Sequence, residues 1–366
     1  MTGRGVDQIL RHPSLPGLHE PFVRDAREYV RLAEGVSGAA PRAADPAYIW
    51  GDAVGEWERE APKVRIVNLE TSVTRSDHHA PRKSIHYRMH PDNIDCLTAA
   101  RFDVCVLANN HVLDFGRRGL LETLHTLKQS GIMTVGAGRN VEEATRPLVH
   151  VVPGGGRLTI GAYAHESSGV PHDWAARDNT AGVNVLPDLS NMTAAALAAR
   201  VAGHKRPGDI AIVSIHWGDN WGYDVPRQHI AFAHRLVEGG IDIVHGHSSH
   251  HPRPIEIYRE RLILYGCGDC IDDYEGISGY ERYRDDLVLM YFPSLDPATG
   301  ALVTLRMTPM RIRKLRLNRP SENDARWLCD TLNRMNDAFQ ARVELRPDGT
   351  LSLVSHPSAA SLEVAR

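Results

Sequence analysis

Short apolar runs alternate with amphipathic stretches along the first three quarters of the chain. Six runs enriched in Val, Ile and Leu have the length and composition of buried β-strands: Lys63–Asn68, Asp103–Ala108, Ile132–Gly136, Ile210–His216, Ile241–His245 and Arg261–Tyr265. Stretches with helix start and stop signals flank or separate them: Arg24–Glu34, Ala47–Glu60, Pro91–Ala100, Arg117–Ser130 and Pro226–Glu238. This alternation predicts α/β layers around a buried sheet.

The pattern changes near residue 286. It predicts two antiparallel strands, a helix, a hairpin and a loose tail: Asp286–Phe292 and Ala301–Arg311 joined by the turn-rich Pro293–Gly300, then Asn323–Arg342, a turn at Pro347-Asp348-Gly349, and His356–Arg366. We therefore expect a main domain over residues 1–285 and a C-terminal α+β extension over residues 286–366 that packs on it.

Composition and charge exclude several classes of protein. The 366 residues carry 42 basic and 45 acidic side chains, so nucleic acid is not an expected partner. Met1–Leu10 is too polar for a signal peptide, and no apolar run approaches the ~18 residues of a membrane span. Five cysteines, an odd number, fit a reducing compartment better than a disulfide framework. We expect a cytoplasmic protein without a membrane span, with a homodimer as one assembly option.

Polar side chains follow four of the predicted strands at the point where each strand ends. They are, in chain order, Asn68 and Glu70, Asn109-Asn110-His111 with Asp114, His216, and the four histidines of His245–His251. Because the carboxyl ends of the strands in an open α/β sheet share one edge, we expect these side chains to converge in one crevice.

The types of side chain at these strand ends indicate metal chemistry. A carboxylate, amide and imidazole set without thiolates suits divalent Zn, Mn or Fe. Two such ions can activate a water and stabilise the leaving oxygen or nitrogen. Each motif alone also has an ordinary interpretation, as loop residues, turn amides or a hydrogen-bonded buried histidine. Four motifs at equivalent positions, and the cost of burying four imidazoles, favour the metal interpretation.

Together these motifs resemble the CapA family, which is named for poly-γ-glutamate capsule synthesis and has the fold of the calcineurin-like metallophosphoesterases. The resemblance covers roughly residues 1–275 and runs through Asn68-Leu-Glu70, Ala108-Asn-Asn-His-Val-Leu-Asp-Phe-Gly116, Gly136-Ala-Gly-Arg139, His216-Trp-Gly218 and Gly246-His-Ser-Ser-His250. It implies a four-layer α/β sandwich, with mixed sheets flanked by helices and a two-metal centre at the sheet edge.

The resemblance also implies roles for individual residues. The ligands of two divalent ions would be Glu70, as the bridging carboxylate, with Asn110, His216, His247 and His250. His111 would donate a proton or stabilise an oxyanion beside the scissile bond, and Asp114 would orient it. The substrate would be contacted by Asn68, Arg4, Arg139 and Asp269.

Some features depart from the family pattern. The family opens with a strand that ends in Gly-Asp, whereas Met1-Thr-Gly-Arg-Gly-Val-Asp7 resembles only the tail of that motif. We expect a misassigned start codon, with true loss of the strand and its ligand as the alternative. In Gly266-Cys-Gly-Asp-Cys270, Asp269 replaces an amide, and the lone C-x-x-C offers a weak redox interpretation. Many family members are membrane-anchored, and we expect no anchor here.

We therefore predict a metal-dependent hydrolase that uses a metal-bound hydroxide on a phosphoester or a γ-glutamyl-type amide. The expected substrate is a small molecule, a peptide or polyglutamate. The alternative is a non-catalytic binding or assembly factor on a degenerate metallophosphoesterase fold. A redox protein that uses Cys267 and Cys270 is a third hypothesis.

Overall fold

The computed structural model describes residues 1–81 and 83–354. The helices of these residues are α1 Arg4–Ile9, α2 Arg27–Ser37, α3 Ala53–Glu60, α4 Asp95–Ala99, α5 Gly116–Gln129, α6 Val141–Thr145, α7 Asn191–Ala202, α8 Arg227–Glu238 and α9 Glu322–Asn336. The strands are β1 Ile66–Asn68, β2 Ser72–Val73, β3 Arg88–Met89, β4 Val104–Val106, β5 Met133–Val135, β6 Ala137–Gly138, β7 Leu148–Val151, β8 Arg157–Ala164, β9 Gly182–Val183, β10 Ile210–His216, β11 Ile243–His247, β12 Ile255–Tyr258, β13 Arg261–Leu264, β14 Leu287–Leu295, β15 Leu302–Ile312, β16 Leu317–Asn318, β17 Arg342–Leu345 and β18 Leu351–Val354.

Two sheets with parallel strands carry the motifs. The smaller one has the order β1-β4-β5, and all three strands are parallel. The larger one has the order β12-β13-β11-β10-β8-β7, with four parallel strands in the middle and an antiparallel strand at each edge. Helices α7 and α8 pack on the larger sheet, and α5 packs against β5 and β2. The mixed α/β class predicted from the sequence is confirmed.

The C-terminal part forms an antiparallel sheet of its own. Its order is β14-β15-β18-β17, with β16 beside β15, and α9 packs against β17 and β12. Strands β14 and β15 pair from Leu287 opposite Arg311 to Leu295 opposite Leu302. Strand β14 is longer than predicted, because Pro293–Leu295 continues it, whereas β15 has the predicted length and is displaced by one residue.

Buried apolar side chains form two clusters. The larger one draws on helix α1, the small sheet, the inner face of the large sheet and the C-terminal sheet, with members such as Ile9, Val106, Leu264 and Leu289. The smaller one lies between the large sheet and helices α7 and α8. Because one cluster contains residues from both sides of position 285, the C-terminal part packs on the main body. The boundary itself remains a prediction.

All six predicted strands are confirmed, as β1, β4, β5, β10, β11 and β13. Strands β7, β8 and β12 and helix α7 were not predicted. In β8, Gly161 weakens the strand signal, and a Cβ there would lie 2.5 Å from a methyl carbon of Val201. Close packing against α7 therefore selects the glycine, at the expense of local strand propensity.

The helix predicted over Asn323–Arg342 is wrong at its end. It starts at a capping box formed by Ser321 and Asp324 and ends at Asn336. Arg342–Leu345 instead pairs with Leu351–Val354, which confirms the hairpin predicted across Pro347-Asp348-Gly349. The predicted tail His356–Arg366 lies outside the described residues. Within residues 1–81 and 83–354, no helix has both the length and the hydropathy to cross a membrane.

Candidate functional site

Strand ends from two different sheets meet at the site. Asn68 of β1 is in register with Val106 of β4, and His216 of β10 is in register with His247 of β11. Glu70, two residues beyond β1, places Oε1 3.6 Å from Nε2 of His216. One shared sheet edge was expected from the sequence, whereas the crevice lies between the small and the large sheet.

Two asparagines hold the loops after β1 and β4 together. Nδ2 of Asn68 donates to Oε2 of Glu70 at 2.9 Å, and Nδ2 of Asn109 donates to Oδ1 of Asn68 at 3.0 Å. Oδ1 of Asn109 accepts from the backbone N–H groups of His111 and Val112, each at 3.0 Å. The amide of Asn68, which was predicted to contact substrate, is thus bonded at both ends inside the protein.

Glu70 is a buried carboxyl, only 6% exposed. Burial disfavours its charged form and raises its pKa to about 7, although the positive field of His250 acts in the opposite direction. The hydrogen bond from Asn68 orients the group without neutralising it. A nearby cation would favour the ionised form of such a carboxyl.

His111 stands in a hydrogen-bonded group with Asp114 and Lys83. Nδ1 of His111 lies 2.6 Å from Oδ2 of Asp114, which also accepts the N–H of Tyr87 at 2.7 Å. Nζ of Lys83 lies 2.9 Å from the same Nδ1, and donates to Oδ1 of Asp114 and to the carbonyl oxygen of Asn110. Burial, together with the charge of Lys83, lowers the pKa of His111 well below its ordinary value. Burial also raises the pKa of Asp114 to about 6.

His216 and His247 form a second group at the ends of β10 and β11. Their Nδ1 atoms lie 2.8 Å apart, so one ring donates to the other. Nε2 of His247 is bonded to Oγ of Ser214 at 3.0 Å, and that hydroxyl also meets Nδ1 of His245 at 2.9 Å. Burial lowers the pKa of His216 and of His247 well below the ordinary value, so both rings are neutral. Nε2 of His216 is buried, and no described residue hydrogen-bonds to it.

His250 is buried and bonded at both ring nitrogens. Nδ1 lies 2.9 Å from Oδ2 of Asp269, and Nε2 lies 3.1 Å from the hydroxyl of Tyr274. Burial acts to lower the pKa of His250, but the Asp269 carboxylate outweighs it and raises that pKa above its ordinary value. Asp269, which was predicted to contact substrate, is therefore bonded to His250 and orients its ring.

A cavity of about 260 Å³ opens beside these groups. Asn68, Glu70, His247 and Asp269 line its polar end, and apolar side chains of β1, β11, β13 and β14 line the rest. Strands β1 and β14 are edge strands of their sheets, and both face this cavity. These four polar groups border the cavity, whereas Asn110, His111, His216 and His250 are not among its lining residues.

Comparison with known proteins places this arrangement in a family. The family model described as bacterial capsule synthesis protein PGA_cap matches residues 1–274. The chain belongs to this family. The match confirms the resemblance to the CapA proteins that the sequence motifs indicated.

Three relatives show how the similarity is distributed. A probable polyglutamine synthesis accessory protein of Mycobacterium tuberculosis is 51% identical over 364 residues, which is 99% of this chain and 96% of the relative. The PGA biosynthesis protein CapA of Bacillus subtilis is 28% identical over 225 residues, 61% of this chain and 56% of the relative. The capsule biosynthesis protein CapA of Bacillus anthracis is 26% identical over 213 residues, 57% of this chain and 48% of the relative. The mycobacterial similarity therefore includes the C-terminal sheet.

The two arginines predicted to contact substrate in this PGA_cap protein occupy different surroundings. Arg4 is buried, and its Nε and Nη2 bond to Asp273 at 3.0 and 2.6 Å, while Nη1 bonds to Glu20 at 3.0 Å. Arg139 is exposed, and its Nη2 lies 2.5 Å from Oε1 of Glu143, four residues on in the chain. Arg4 thus ties the N-terminal segment to the loop after β13, and the substrate role of both arginines remains a prediction.

The donor atoms at the site fit a metal in their chemical types but not in their arrangement. Among residues 1–81 and 83–354, no three His, Cys, Asp or Glu side chains are arranged so that they could hold one ion. Two further observations do fit a metal: Oδ1 of Asn110 and Nε2 of His216 are buried without a hydrogen-bond partner in the described chain. Unsatisfied buried acceptors are costly, and oxygen and imidazole nitrogen are ordinary ligands of Zn, Mn and Fe. The types of donor therefore suit such ions, although the side chains do not form a closed ligand cage.

Sequence reasoning missed several residues of the site. Lys83 lies in an irregular loop without any periodic signal, and Tyr274 lies in a loop that is remote in sequence from His250. Ser214 had a detectable signal, because it lies two residues before His216 and therefore on the same face of β10. The parallel register places Ser214 beside His245 and His216 beside His247.

The cysteines do not favour the redox hypothesis. All five are free thiols, and Cys96, Cys105 and Cys329 are buried. Burial raises the pKa of Cys270 to about 11 and that of Cys267 still further. Because the thiolate is the reactive form, neither thiol is activated at neutral pH.

Proposed function

We propose that this PGA_cap protein is a metal-dependent hydrolase that cleaves a glutamyl-type amide or a phosphoester. The observation that carries the proposal is the pair of unpartnered buried atoms, Oδ1 of Asn110 and Nε2 of His216, beside Glu70 and the His111–Asp114 pair. Buried polar atoms are usually hydrogen-bonded, and these two lie among side chains of the types that bind divalent ions.

Five side chains would hold two divalent ions, Mn, Zn or Fe: Glu70, Asn110, His216, His247 and His250. When bound, such ions supply Lewis-acid polarisation of the scissile group. Asp269 and Ser214 already bond to ring nitrogens of His250 and His247, so these two rings have partners that would fix their orientation.

His111 is the residue that we assign to proton transfer. Its Nδ1 faces Asp114, so Nε2 is the nitrogen left for the substrate. A histidine fixed in this way by a carboxylate has one orientation and presents one nitrogen to the reacting group. We assign Asp114 the part of holding that orientation.

The names of the relatives guide the choice of substrate. One is named for polyglutamine synthesis and two for PGA or capsule biosynthesis. A hydrolase in the synthesis of such a polymer would cleave glutamyl amide bonds in a peptide or polyglutamate chain. We also propose a cytoplasmic location and the four-layer metallophosphoesterase arrangement.

Metal removal and restoration tests this proposal. The purified protein is treated with a chelator, dialysed, and assayed with Mn, Zn or Fe(II) on bis-p-nitrophenyl phosphate and on γ-glutamyl-p-nitroanilide. We expect turnover of one substrate class that disappears on chelation and returns with one of the ions. No turnover of either class with any ion would overturn the proposal.

A second candidate is a non-catalytic accessory factor on the same fold. It is favoured by the absence of a closed three-residue ligand cage in the described chain and by the word accessory in the name of the mycobacterial relative. This candidate predicts that the metal-free protein binds polyglutamate with unchanged affinity and that no ion induces turnover.

A further inference from the structure

Lys83 makes contacts on both sides of His111. Its Nζ donates to the carbonyl oxygen of Asn110, the residue before His111, and to Oδ1 of Asp114. The same Nζ lies 2.9 Å from Nδ1 of His111 itself. One ammonium group therefore touches three groups of the loop that follows β4.

This lysine is withdrawn from solvent. Its side chain is 17% exposed, and the ring of Trp174 lies 5.2 Å from Nζ. Removing an ammonium from water is costly unless its N–H groups and its charge find partners. Here Nζ lies beside three polar atoms, and one of these belongs to a carboxylate with no solvent exposure.

The two oxygens of Asp114 have separate partners. Oδ1 meets Lys83, while Oδ2 meets Nδ1 of His111 and the N–H of Tyr87. Lys83 consequently fixes the plane of the carboxylate that in turn fixes the imidazole. Its bond to the carbonyl of Asn110 fixes the backbone from which the His111 side chain starts.

We propose that Lys83 is a positioning residue that holds His111 for proton transfer. The proposal rests on the function assigned above and adds a residue that touches neither substrate nor metal. Without Lys83, Asp114 loses one of its anchors, and His111 samples orientations that do not suit the reaction. Partners of this kind typically change activity by about 10- to 100-fold.

The test compares Lys83→Met and Lys83→Gln with Lys205→Met. Lys205 is a matched control, because its Nζ lies 2.5 Å from buried Asp242 and its side chain is 24% exposed, and none of its contacts involve the site. We expect kcat to fall about 10- to 100-fold in both Lys83 variants. KM, metal content and melting temperature should match those of Lys205→Met, which keeps wild-type kcat.

Chemical rescue distinguishes a positioning role from a purely structural one, because a small cation would not restore kcat if Lys83 only stabilised the fold. Methylammonium added to Lys83→Ala should restore part of kcat, because it supplies both a charge and N–H donors. Tetramethylammonium has the charge without the donors and should not. Wild-type kcat in the Lys83 variants, or equal rescue by both cations, would overturn the inference.

A spectroscopic measurement separates this inference from the proposed function. The ¹⁵N shifts of the His111 ring report its tautomer and hydrogen bonding without any need for turnover. We expect the shifts to change in Lys83→Met and to stay unchanged in Lys205→Met. If the wild type shows no hydrolysis but these shifts change, only the proposed function fails. If hydrolysis requires His111 but neither the ¹⁵N shifts nor kcat change when Lys83 is substituted, only the positioning role fails.

Discussion

His111 and His216 lie at strand ends of the same crevice, and their rings are bonded in opposite ways. Nδ1 of His111 is within hydrogen-bond distance of both Asp114 and Lys83. His216 has one ring partner, His247, and its Nε2 is buried without another among the described residues. The first ring is held at Nδ1 by a carboxylate and an ammonium, whereas the second has a buried, unpartnered Nε2 that faces the carboxyl of Glu70.

This difference indicates that the two histidines have different roles. An orphaned buried acceptor costs about 1–3 kcal/mol, so a fold retains one only where something else repays the loss. A histidine held at Nδ1 by a carboxylate keeps one orientation and leaves Nε2 for proton transfer. We therefore assign the His216 side of the site to ion binding and the His111 side to proton transfer.

The largest expected effect is on turnover in His111→Ala. We expect the rate to fall about 10²- to 10⁴-fold, the usual contribution of a positioned proton donor or base. Metal content, measured by elemental analysis, should stay at the wild-type value. His234→Ala, which removes an imidazole that pairs with Glu256 outside the site, is the control and should keep its rate. Loss of metal in His111→Ala would contradict the division between the two sides.

The opposite result is expected for His216→Ala and His247→Ala. Both should lose at least one of two bound ions, because each removes a predicted ligand, and activity should fall as a consequence. Saturating metal should restore part of the rate of these two variants. It should not restore the rate of His111→Ala. Full metal content in both variants would show that these rings are structural.

The pH dependence of stability tests the burial of Glu70 in the metal-free protein. Its pKa is about 7 in the folded state against an ordinary value of 4.5, so the folded state holds a proton that the unfolded chain has lost. The free energy of unfolding contributed by this group is fully present below pH 4.5 and decreases as the pH rises to about 7. The difference between the two pKa values corresponds to about 3 kcal/mol.

Urea titrations at several pH values compare the metal-free wild type with Glu70→Gln. The substitution removes the ionisation and should remove most of this decrease between pH 5 and pH 8. Parallel curves for the two proteins would mean that Glu70 titrates at its ordinary pKa, and that the carboxyl is more hydrated than the structure indicates.

The smallest effect is expected for Asp269→Asn. The amide keeps the shape of the side chain but weakens the charge-assisted bond to Nδ1 of His250. We expect metal affinity to fall about 10- to 100-fold, the usual effect of losing the partner of a ligating histidine. Isothermal titration of the chelator-treated protein measures it. Unchanged metal affinity together with a raised KM would restore the substrate-contact role first predicted for Asp269.

The sequence predicts much of the sheet architecture and the motif residues, for identifiable reasons. Buried parallel strands are short and strongly apolar, so β4, β10 and β11 are evident, and the polar residues that end them stand out. The facing of two sheets was not predicted, because periodicity gives each strand without its partners. Strand β8 was missed because its glycine is selected by close packing on α7.

The hydrophobic periodicity of the sequence does not predict which side chains that are distant in the chain will contact each other. Arg4 pairs with Asp273 across 269 positions, and Lys83 reaches His111 from an irregular loop. Asp269 was predicted to contact substrate, and its bond to His250 depends on the geometry of the loop after β13. These contacts depend on tertiary structure, and they decide how the motif residues are oriented.

The most direct test of the account is the number of transition ions bound per chain in the purified wild-type protein, measured by elemental analysis alongside turnover of bis-p-nitrophenyl phosphate and γ-glutamyl-p-nitroanilide. The account predicts about two ions per chain and turnover of at least one of these substrates. A protein that binds no transition ion under any loading condition and hydrolyses neither substrate would contradict it, and the accessory-factor interpretation would then take its place.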